Sequence, residues 1–452
     1  MPVARSTGPT ADPLGEAVAA FLADLLDNVS VDVITGADRA DRGEEVLPRA
    51  PIRGADGRTR QFRLRSTVGP ASGPRATSSR FPDELADLPA AALRALERMA
   101  RSASAEDQVH PSLSRALHDV VVAEVLAERL IGRLVVEADV DRVGLVVAKT
   151  LEYTMELAAT SLEGKPATHG VVLCADSRGL VPVEPNVEYP GRLPTRKGTP
   201  LLFDGSESAL AVTATGDVLG EVTRRSLPVP PLGAPTLGFF DEFPGMNGGL
   251  TAAGSAVFRG VGVFLRADRS IWVFDDGKPL FVRRTSRWKS IAADSFALWL
   301  ETFGAIEAEV ATVLVGAVLR ASTQGTGALF AVASDSSELA DIISTKDLVG
   351  TGVGGSAGST VDDDVRAVLA GSELRTSSAL ARLARLDGAT IVDPDGSVLA
   401  YGAIVHSADS HGEGARTAAA RSLSLRTRFS VSVSQDGPVS VFHHGALVLE
   451  FL

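Results

Sequence analysis

The last third of the chain contains short apolar runs separated by tight turns, and this pattern constrains the fold more than any other feature. The run at 389–392 is followed by the turn DPDG and a second run, and QDG at 435–437 separates two more. Short apolar runs bounded by such turns are typical of β-hairpins. Two helical segments and the apolar run GALFAVAS precede them, from about 290 onward. We therefore predict an α/β or α+β domain over 291–452.

Length and composition limit the class of protein. A chain of 452 residues exceeds one compact core, so two or three domains are expected. The net charge of −12 argues against a broad surface for nucleic acid or for an anionic membrane. The single cysteine, Cys174, excludes an internal disulfide and a cysteine-based zinc site, and it fits a reducing compartment. We expect a cytoplasmic protein whose partners include neither nucleic acid nor a membrane.

The first 290 residues have a more varied pattern. We predict a disordered tail at 1–12, a strand at 169–175 and a hairpin that begins near Asp204. Residues 227–255 are rich in proline and glycine and are predicted to be a loop or linker. Helical periodicity is found at 14–29, 83–101, 111–135, 145–162 and 361–385, and further strands are predicted at 257–266 and 271–284. We expect 13–290 to be an α+β regulatory region.

Two motifs of the C-terminal domain carry groups that suit a phosphate ligand. Asp387 and Gly388 stand at the start of an apolar strand, and GARTAAA opens a predicted helix with one arginine, Arg416. A carboxylate can hold a divalent metal and help to remove a proton from a hydroxyl group. Free amides at the start of a helix, with a guanidinium beside them, suit phosphate oxygens.

Each motif alone also has an ordinary structural explanation. An isolated Asp-Gly step is far more often a turn than a metal site, and a single arginine on a helix is more often solvated. The segment VDPDGSVLAYG is simply a good hairpin. It is the combination of these pieces, in this order, that favours a nucleotide site.

In this order the motifs resemble those of the diadenylate cyclase (DAC) family, whose members make cyclic di-AMP from two ATP molecules. The resemblance covers about 300–452. The family has a Gly-Ala-Leu strand, an Asp-Gly-Ala step, a Gly-Thr-Arg-His-Arg-Ala-Ala loop and a Val-Ser-Glu-Glu strand end. The residues of this chain that match are Asp387, Gly388, Ala389, Gly414, Arg416, Ala419, Ala420 and Ser434.

The resemblance implies a DAC-like domain at 291–452 with a mixed central sheet flanked by helices. Asp387 and Arg416 would be catalytic, and Asp387 would also hold Mg²⁺ or Mn²⁺. The remaining contacts to ATP would come from Gly388, Ala389, Val405, Gly414, Ala415, Thr417, Ser434, Asp436, Gly327 and Leu329. Two ATP-loaded domains would meet face to face, so the family resemblance implies a homodimer or a higher homo-oligomer.

The chain departs from the family in its phosphate loop. The family's Arg-His-Arg is replaced by Arg416, Thr417 and Ala418, and Gln435 stands where the family has an acid. Each lost charged contact would cost about 1.5–3 kcal/mol unless it is compensated, and Arg421 is the candidate for compensation. We expect a diadenylate cyclase controlled by an N-terminal sensor region. The alternatives are a catalytically degenerate nucleotide-binding sensor protein and a structural scaffold.

A second segment of the chain is similar to the DAC-like one. HGVVLCADSRG followed by LLFDGSESALAVTATGDVLGEV echoes GALFAVASDSS followed by LDGATIVDPDGSVLAYGAI. We therefore predict that 110–225 is a diverged, inactive relative of the cyclase domain with a sensing role. This hypothesis requires the same strand order in both segments.

Overall fold

The structure is a computed structural model, and it describes residues 12–26, 29–35, 45–54, 57–66, 88–102, 111–134, 139–227, 249–349, 377–406 and 414–452, apart from 163, 178–179, 181–182, 184–188, 190–198 and 292. The helices are α1 (Pro13–Leu25), α2 (Leu88–Ser102), α3 (Pro111–Arg133), α4 (Val140–Ala158), α5 (Thr199–Leu202), α6 (Gly249–Val257), α7 (Ala293–Gly304), α8 (Ala308–Gln324), α9 (Ser377–Leu383) and α10 (Ala415–Leu423). The strands are β1 (Val29–Thr35), β2 (Glu45–Arg53), β3 (Thr59–Ser66), β4 (Ser161–Leu162), β5 (Lys165–Pro166), β6 (His169–Cys174), β7 (Ser208–Thr213), β8 (Val218–Thr223), β9 (Val261–Leu265), β10 (Ile271–Asp275), β11 (Lys278–Arg284), β12 (Arg287–Ser290), β13 (Ala328–Val332), β14 (Ala389–Val392), β15 (Val398–Ala403), β16 (Phe429–Val433), β17 (Val439–His443) and β18 (Ala446–Phe451). The fold is mixed α/β, as the sequence predicts.

A small antiparallel sheet of order β1-β3-β2 lies near the N-terminus, where α1 packs against β1. Asp12 caps α1: its carboxylate accepts the N–H of Gly15 at 3.1 Å and pairs with the buried guanidinium of Arg60 at 2.7 Å. The hydrogen bond from Arg60 lowers the pKa of the Asp12 carboxyl. The predicted tail is therefore wrong at its last residue, because the ion pair orders Asp12. Residues 1–11 lie outside the described part of the chain.

Among the described residues, the two larger sheets have the same strand order over six strands, and the first sheet has a seventh strand, β12. One runs β8-β7-β6-β9-β10-β11-β12, and the other runs β15-β14-β13-β16-β17-β18. In each, a central pair is parallel (β6 with β7, β13 with β14) and the other pairs are antiparallel. Two helices precede the first strand of each sheet, and another precedes β9 and β16. This is the arrangement that the repeat hypothesis requires. We call 111–290 the first repeat and 293–452 the second repeat.

The first repeat is longer than the predicted segment 110–225. It continues through α6 and β9 to β12, so part of the predicted linker at 227–255 is a helix, and β9 begins at Val261 rather than at 257. Leu250 and Ala253 of α6 are buried against Val172 of the sheet. This packing stabilises a helix in a sequence of small residues that is interrupted by glycine. Most of the predicted helix at 361–385 lies outside the described residues. Within the described part, α9 covers only the C-terminal end of this prediction.

Helices cover both sides of the second repeat's sheet. Helices α7, α8 and α9 pack on one side and α10 packs on the other. Phe264, Trp272 and Phe274 project from the first repeat's sheet into the same hydrophobic cluster as α7 and α8. Helix α8 is consequently buried on nearly all sides, as expected of a helix inside a core. The two repeats therefore share one core.

None of the helices in the described ranges combines the length and the apolar character needed to span a bilayer.

A fully buried histidine lies at the start of β6. The Nδ1 atom of His169 is 3.1 Å from the carbonyl oxygen of Phe203, and its ring contacts that of Tyr153 with centroids 5.6 Å apart. Burial lowers the pKa of His169 to about 4, because the imidazolium would lose its hydration inside the core. In the folded protein this residue is neutral at physiological pH.

The buried histidine makes stability depend on pH. As the pH falls from 6.5 to about 4, the unfolded chain binds a proton at His169 that the folded chain does not bind. We expect the free energy of unfolding to fall by up to about 3 kcal/mol across this window, and to be regained as the pH rises. Denaturant unfolding at a series of pH values measures this slope. It should flatten in His169→Gln and persist in His406→Gln, whose side chain is exposed. Equal slopes in both variants would contradict the assignment.

Candidate functional site

Three neighbouring strands of the second repeat bring predicted site residues to one edge of the sheet. Phe330 is in register with Thr390 on one side, and Ala328 is in register with Val433 on the other. Gly327 comes directly before β13, Ser434 directly after β16, and Asp387 two residues before β14. Because β14 runs parallel and β16 antiparallel to β13, all three residues lie at the same edge of the sheet. We call these three residues the site row.

Arg416, in the first turn of α10, reaches the middle of the site row. A Cβ atom placed on Gly327 would lie 2.0 Å from Nη1 and 2.4 Å from Cζ of Arg416. The guanidinium thus lies directly against the backbone of Gly327, and only glycine leaves room for it there. Arg416 is half-buried in this position. Gly327 precedes β13, and Asp387 precedes the neighbouring strand β14.

Asp387 is exposed and has no hydrogen-bond or ion-pair partner among the residues that the structure describes. The glycine after it has a separate structural role. Gly388 has a φ of +116°, and a Cβ atom there would lie 2.5 Å from the carbonyl carbon of Gly402 on β15. The Asp-Gly step is therefore part of a close approach between β14 and β15, with the Asp387 carboxylate left available to a ligand.

The N-terminus of α10 is open toward solvent. Gly414 is the N-cap residue and supplies no side-chain acceptor to the first turn, which contains Ala415, Arg416 and Thr417. Gly414 and Ala415 are exposed, and Thr417 is half-buried. Because free N–H groups and the helix dipole both favour an anion, this end of α10 suits a phosphate group.

Leu329 and Ala389 lie beneath the site instead of lining it. They are 3% and 0% exposed, and they pack in a cluster with Leu423 of α10. Because α10 covers this side of the sheet, their side chains present little surface to a ligand, and their contact with substrate stays a prediction. Val405 packs against the same cluster but remains only partly buried.

The turn between β16 and β17, residues 434–437, forms the rim of the site. The Ser434 hydroxyl accepts the N–H of Asp436 at 3.3 Å, and the Ser434 carbonyl accepts the N–H of Gly437 at 3.0 Å. Gln435 and Asp436 are exposed. Both oxygens of Ser434 therefore accept hydrogen bonds within the turn, while the exposed side chain of Asp436 can face a ligand.

Arg421 does not replace the missing cation of the phosphate loop. Its Nη1 donates to the carbonyl oxygen of Gly445 at 2.7 Å, and its Cζ lies 5.4 Å from the centre of the Phe442 ring. These contacts hold Arg421 at the turn between β17 and β18. Arg421, the candidate for compensation, is thus engaged at a different turn.

The first repeat lacks the charged pair of the second. Asp204 does not match Asp387: the register of Val171 with Leu210 makes Glu207 the equivalent position, so Asp204 lies three residues too early. The Asp204 carboxylate accepts the N–H groups of its own loop, from Ser206 at 2.9 Å and Glu207 at 2.8 Å. Burial opposes ionisation, but these hydrogen bonds outweigh it and lower the pKa of Asp204.

The region equivalent to the phosphate loop and α10 is also different in the first repeat. Residues 226–258 contain no lysine, arginine or histidine. The strand registers further make Phe264 equivalent to Ser432 and Trp272 equivalent to Ser440. Aromatic side chains that pack against α7 and α8 thus occupy the side of the first sheet that corresponds to the ligand side of the second.

The residues of the site row suit a metal that arrives with a nucleotide. Among the described residues, no group of three His, Cys, Asp or Glu side chains could hold an ion on its own. Mg²⁺ is commonly bound by one or two carboxylates together with substrate phosphates. The exposed carboxylate of Asp387 fits this arrangement with Mg²⁺ or Mn²⁺.

Comparisons with known proteins identify no relative. No protein-family model matches the chain, and no curated protein and no solved structure is significantly similar to it. The resemblance to the DAC family therefore rests on the motif residues alone.

Proposed function

We propose that the second repeat is a diadenylate cyclase domain that condenses two ATP molecules into cyclic di-AMP and pyrophosphate, under the control of the N-terminal region. The observation that supports this most is the site row, where Arg416 lies on Gly327 one strand from Asp387. The exposed carboxylate of Asp387, the guanidinium of Arg416 and the N-terminus of α10 would act together at this edge of the sheet. Such groups can bind the phosphates of a nucleoside triphosphate and its metal ion.

The reaction joins a 3′-hydroxyl oxygen to an α-phosphorus and breaks the bond from that phosphorus to the pyrophosphate oxygen. Such transfers depend mainly on positioning and on the stabilisation of charge. Arg416 and the first-turn amides of α10 would hold the phosphates, and Asp387 would accept the hydroxyl proton. A bound Mg²⁺ or Mn²⁺ would neutralise charge on the phosphate oxygens.

Ring closure needs a second ATP molecule on a facing domain. The first repeat is unsuited to supply it, because its loop lacks cations and aromatic side chains occupy its equivalent side. The partner would therefore be the second repeat of another copy, in an isologous homodimer. Leu386 and Ile404, which flank Asp387 and Val405, are 49% and 53% exposed and would be covered in such a dimer.

A second candidate function is nucleotide binding without turnover. The contact of Arg421 with Gly445 favours it, because the phosphate loop then keeps Arg416 without the family's second arginine and histidine. In this case the chain would bind ATP or a cyclic dinucleotide and act on a partner protein.

Incubation of the full chain with ATP and Mn²⁺ or Mg²⁺, followed by chromatography, tests the proposal. The expected result is cyclic di-AMP with two pyrophosphates for each product molecule. ATP binding without product would favour the second candidate function, and the absence of ATP binding would contradict both.

We place this activity in the cytoplasm, where ATP is available and a thiol such as that of Cys174 stays reduced. Cys174 is buried and forms no disulfide.

A further inference from the structure

The turn 434–437 of the second repeat lies against an arginine of the first repeat. A Cβ atom placed on Gly437 would be 2.0 Å from Nη1 and 2.3 Å from Cζ of Arg284, the last residue of β11. Ser322 of α8 joins the same contact. Its hydroxyl donates to the Gly437 carbonyl oxygen at 2.7 Å and accepts from Nη2 of Arg284 at 3.2 Å.

The Arg284 guanidinium is enclosed and only partly satisfied. Its Nε and Nη1 atoms are buried without a hydrogen-bond partner, and its Cζ lies 5.6 Å from the centre of the Trp272 ring. Burial lowers the pKa of Arg284, and the charges of Asp268 and Asp436 oppose that shift. Unpaired buried donors are unfavourable. Core stability alone therefore does not account for an arginine at this position.

We propose that Arg284 is a positioning residue for the nucleotide site. It fixes the turn 434–437 through Gly437 and Ser322, so the first repeat sets how Ser434 and Asp436 meet a ligand. The identity of that ligand rests on the proposed function, whereas the support of the turn does not. Arg284 thereby gives the N-terminal region a physical route to the site.

Hydrogen exchange of the full chain tests the support of the turn without any nucleotide. Arg284→Met keeps an unbranched apolar stem but removes the guanidinium and its donors. The matched control is Arg287→Met, because Arg287 is on the neighbouring strand, is 68% exposed and is 3.7 Å from Asp24. We expect exchange at the Ser434 and Gly437 amides to become about fivefold faster in Arg284→Met and to stay unchanged in the control. If Arg284→Met fails to fold, Ser322→Ala breaks the same linkage and should give the same local change.

Titration with ATP and Mg²⁺ then tests the consequence for the site. We expect Arg284→Met to raise the Kd and the KM for ATP about fivefold with a smaller change in kcat, and Arg284→Lys to restore only part of the loss. Equal exchange at the turn in Arg284→Met and Arg287→Met would overturn the proposal. Faster exchange in a protein that binds no ATP would contradict the proposed function and still support the positioning role.

Discussion

Replacement of Asp387 by asparagine is expected to abolish the formation of cyclic di-AMP while leaving the fold intact. The Asp387 side chain is exposed and has no hydrogen-bond or ion-pair partner among the described residues, so its replacement should cost little stability. The amide has nearly the same shape but cannot accept the hydroxyl proton, and it is a poor metal ligand. We expect a decrease in rate of about 10²–10⁴-fold, measured by chromatography with ATP and Mn²⁺.

The matched control is Asp395→Asn. Asp395 is also exposed and lies eight residues further on, in the turn between β14 and β15, where its N–H donates to the Asp393 carboxylate. This substitution removes the same charge from the same hairpin and should leave the rate unchanged. Equal rates for Asp387→Asn and Asp395→Asn would refute the role of Asp387.

Replacement of Gly327 by valine is expected to weaken ATP binding by about 10- to 100-fold, because it forces the Arg416 guanidinium off the site row. The Cβ atom would enter the space that the guanidinium occupies, at 2.0 Å from Nη1. The displaced group is the far end of a flexible side chain, so the fold should survive the change. Calorimetric titration with ATP and Mg²⁺ measures the effect.

A double-mutant cycle isolates this contact. In an Arg416→Ala background the space beside Gly327 is empty, so Gly327→Val should cost no further affinity. Gly144→Ala on α4, where a Cβ atom meets nothing within 4 Å, controls for a general effect of adding a side chain at glycine. Fully additive losses at 327 and 416 would contradict the displacement mechanism.

The parts of the fold that depend on local patterns could be predicted from the sequence. The apolar runs and the Asp-Gly turns of the second repeat define β14 to β17, because such turns fix hairpin register. Helix α6 could not be predicted in this way. Its sequence GLTAAGSAV has weak helical propensity, and burial of Leu250 and Ala253 against the sheet determines its structure.

The order of the site residues along the chain could be predicted, but the burial of some of them could not. The sequence places Asp387, Arg416 and Ser434 at ends of elements, which the parallel pairing of β13 and β14 brings to one edge. It does not tell which side of a strand α10 covers, so the burial of Leu329 and Ala389 was missed. The position of Arg421 could have been corrected from helix geometry alone, because five residues correspond to a rotation of about 140° away from Arg416.

The packing of Trp272 and Phe264 against α7 and α8 has a consequence for assembly. It is a heterologous contact, because the α6 side of the first repeat's sheet meets helices that lie on the other side of the second repeat's sheet. Such a contact, when repeated, builds a ring or an open-ended filament. The second repeat has serines at the equivalent positions 440 and 432. These small hydroxyl side chains cannot repeat the aromatic contact with a further unit.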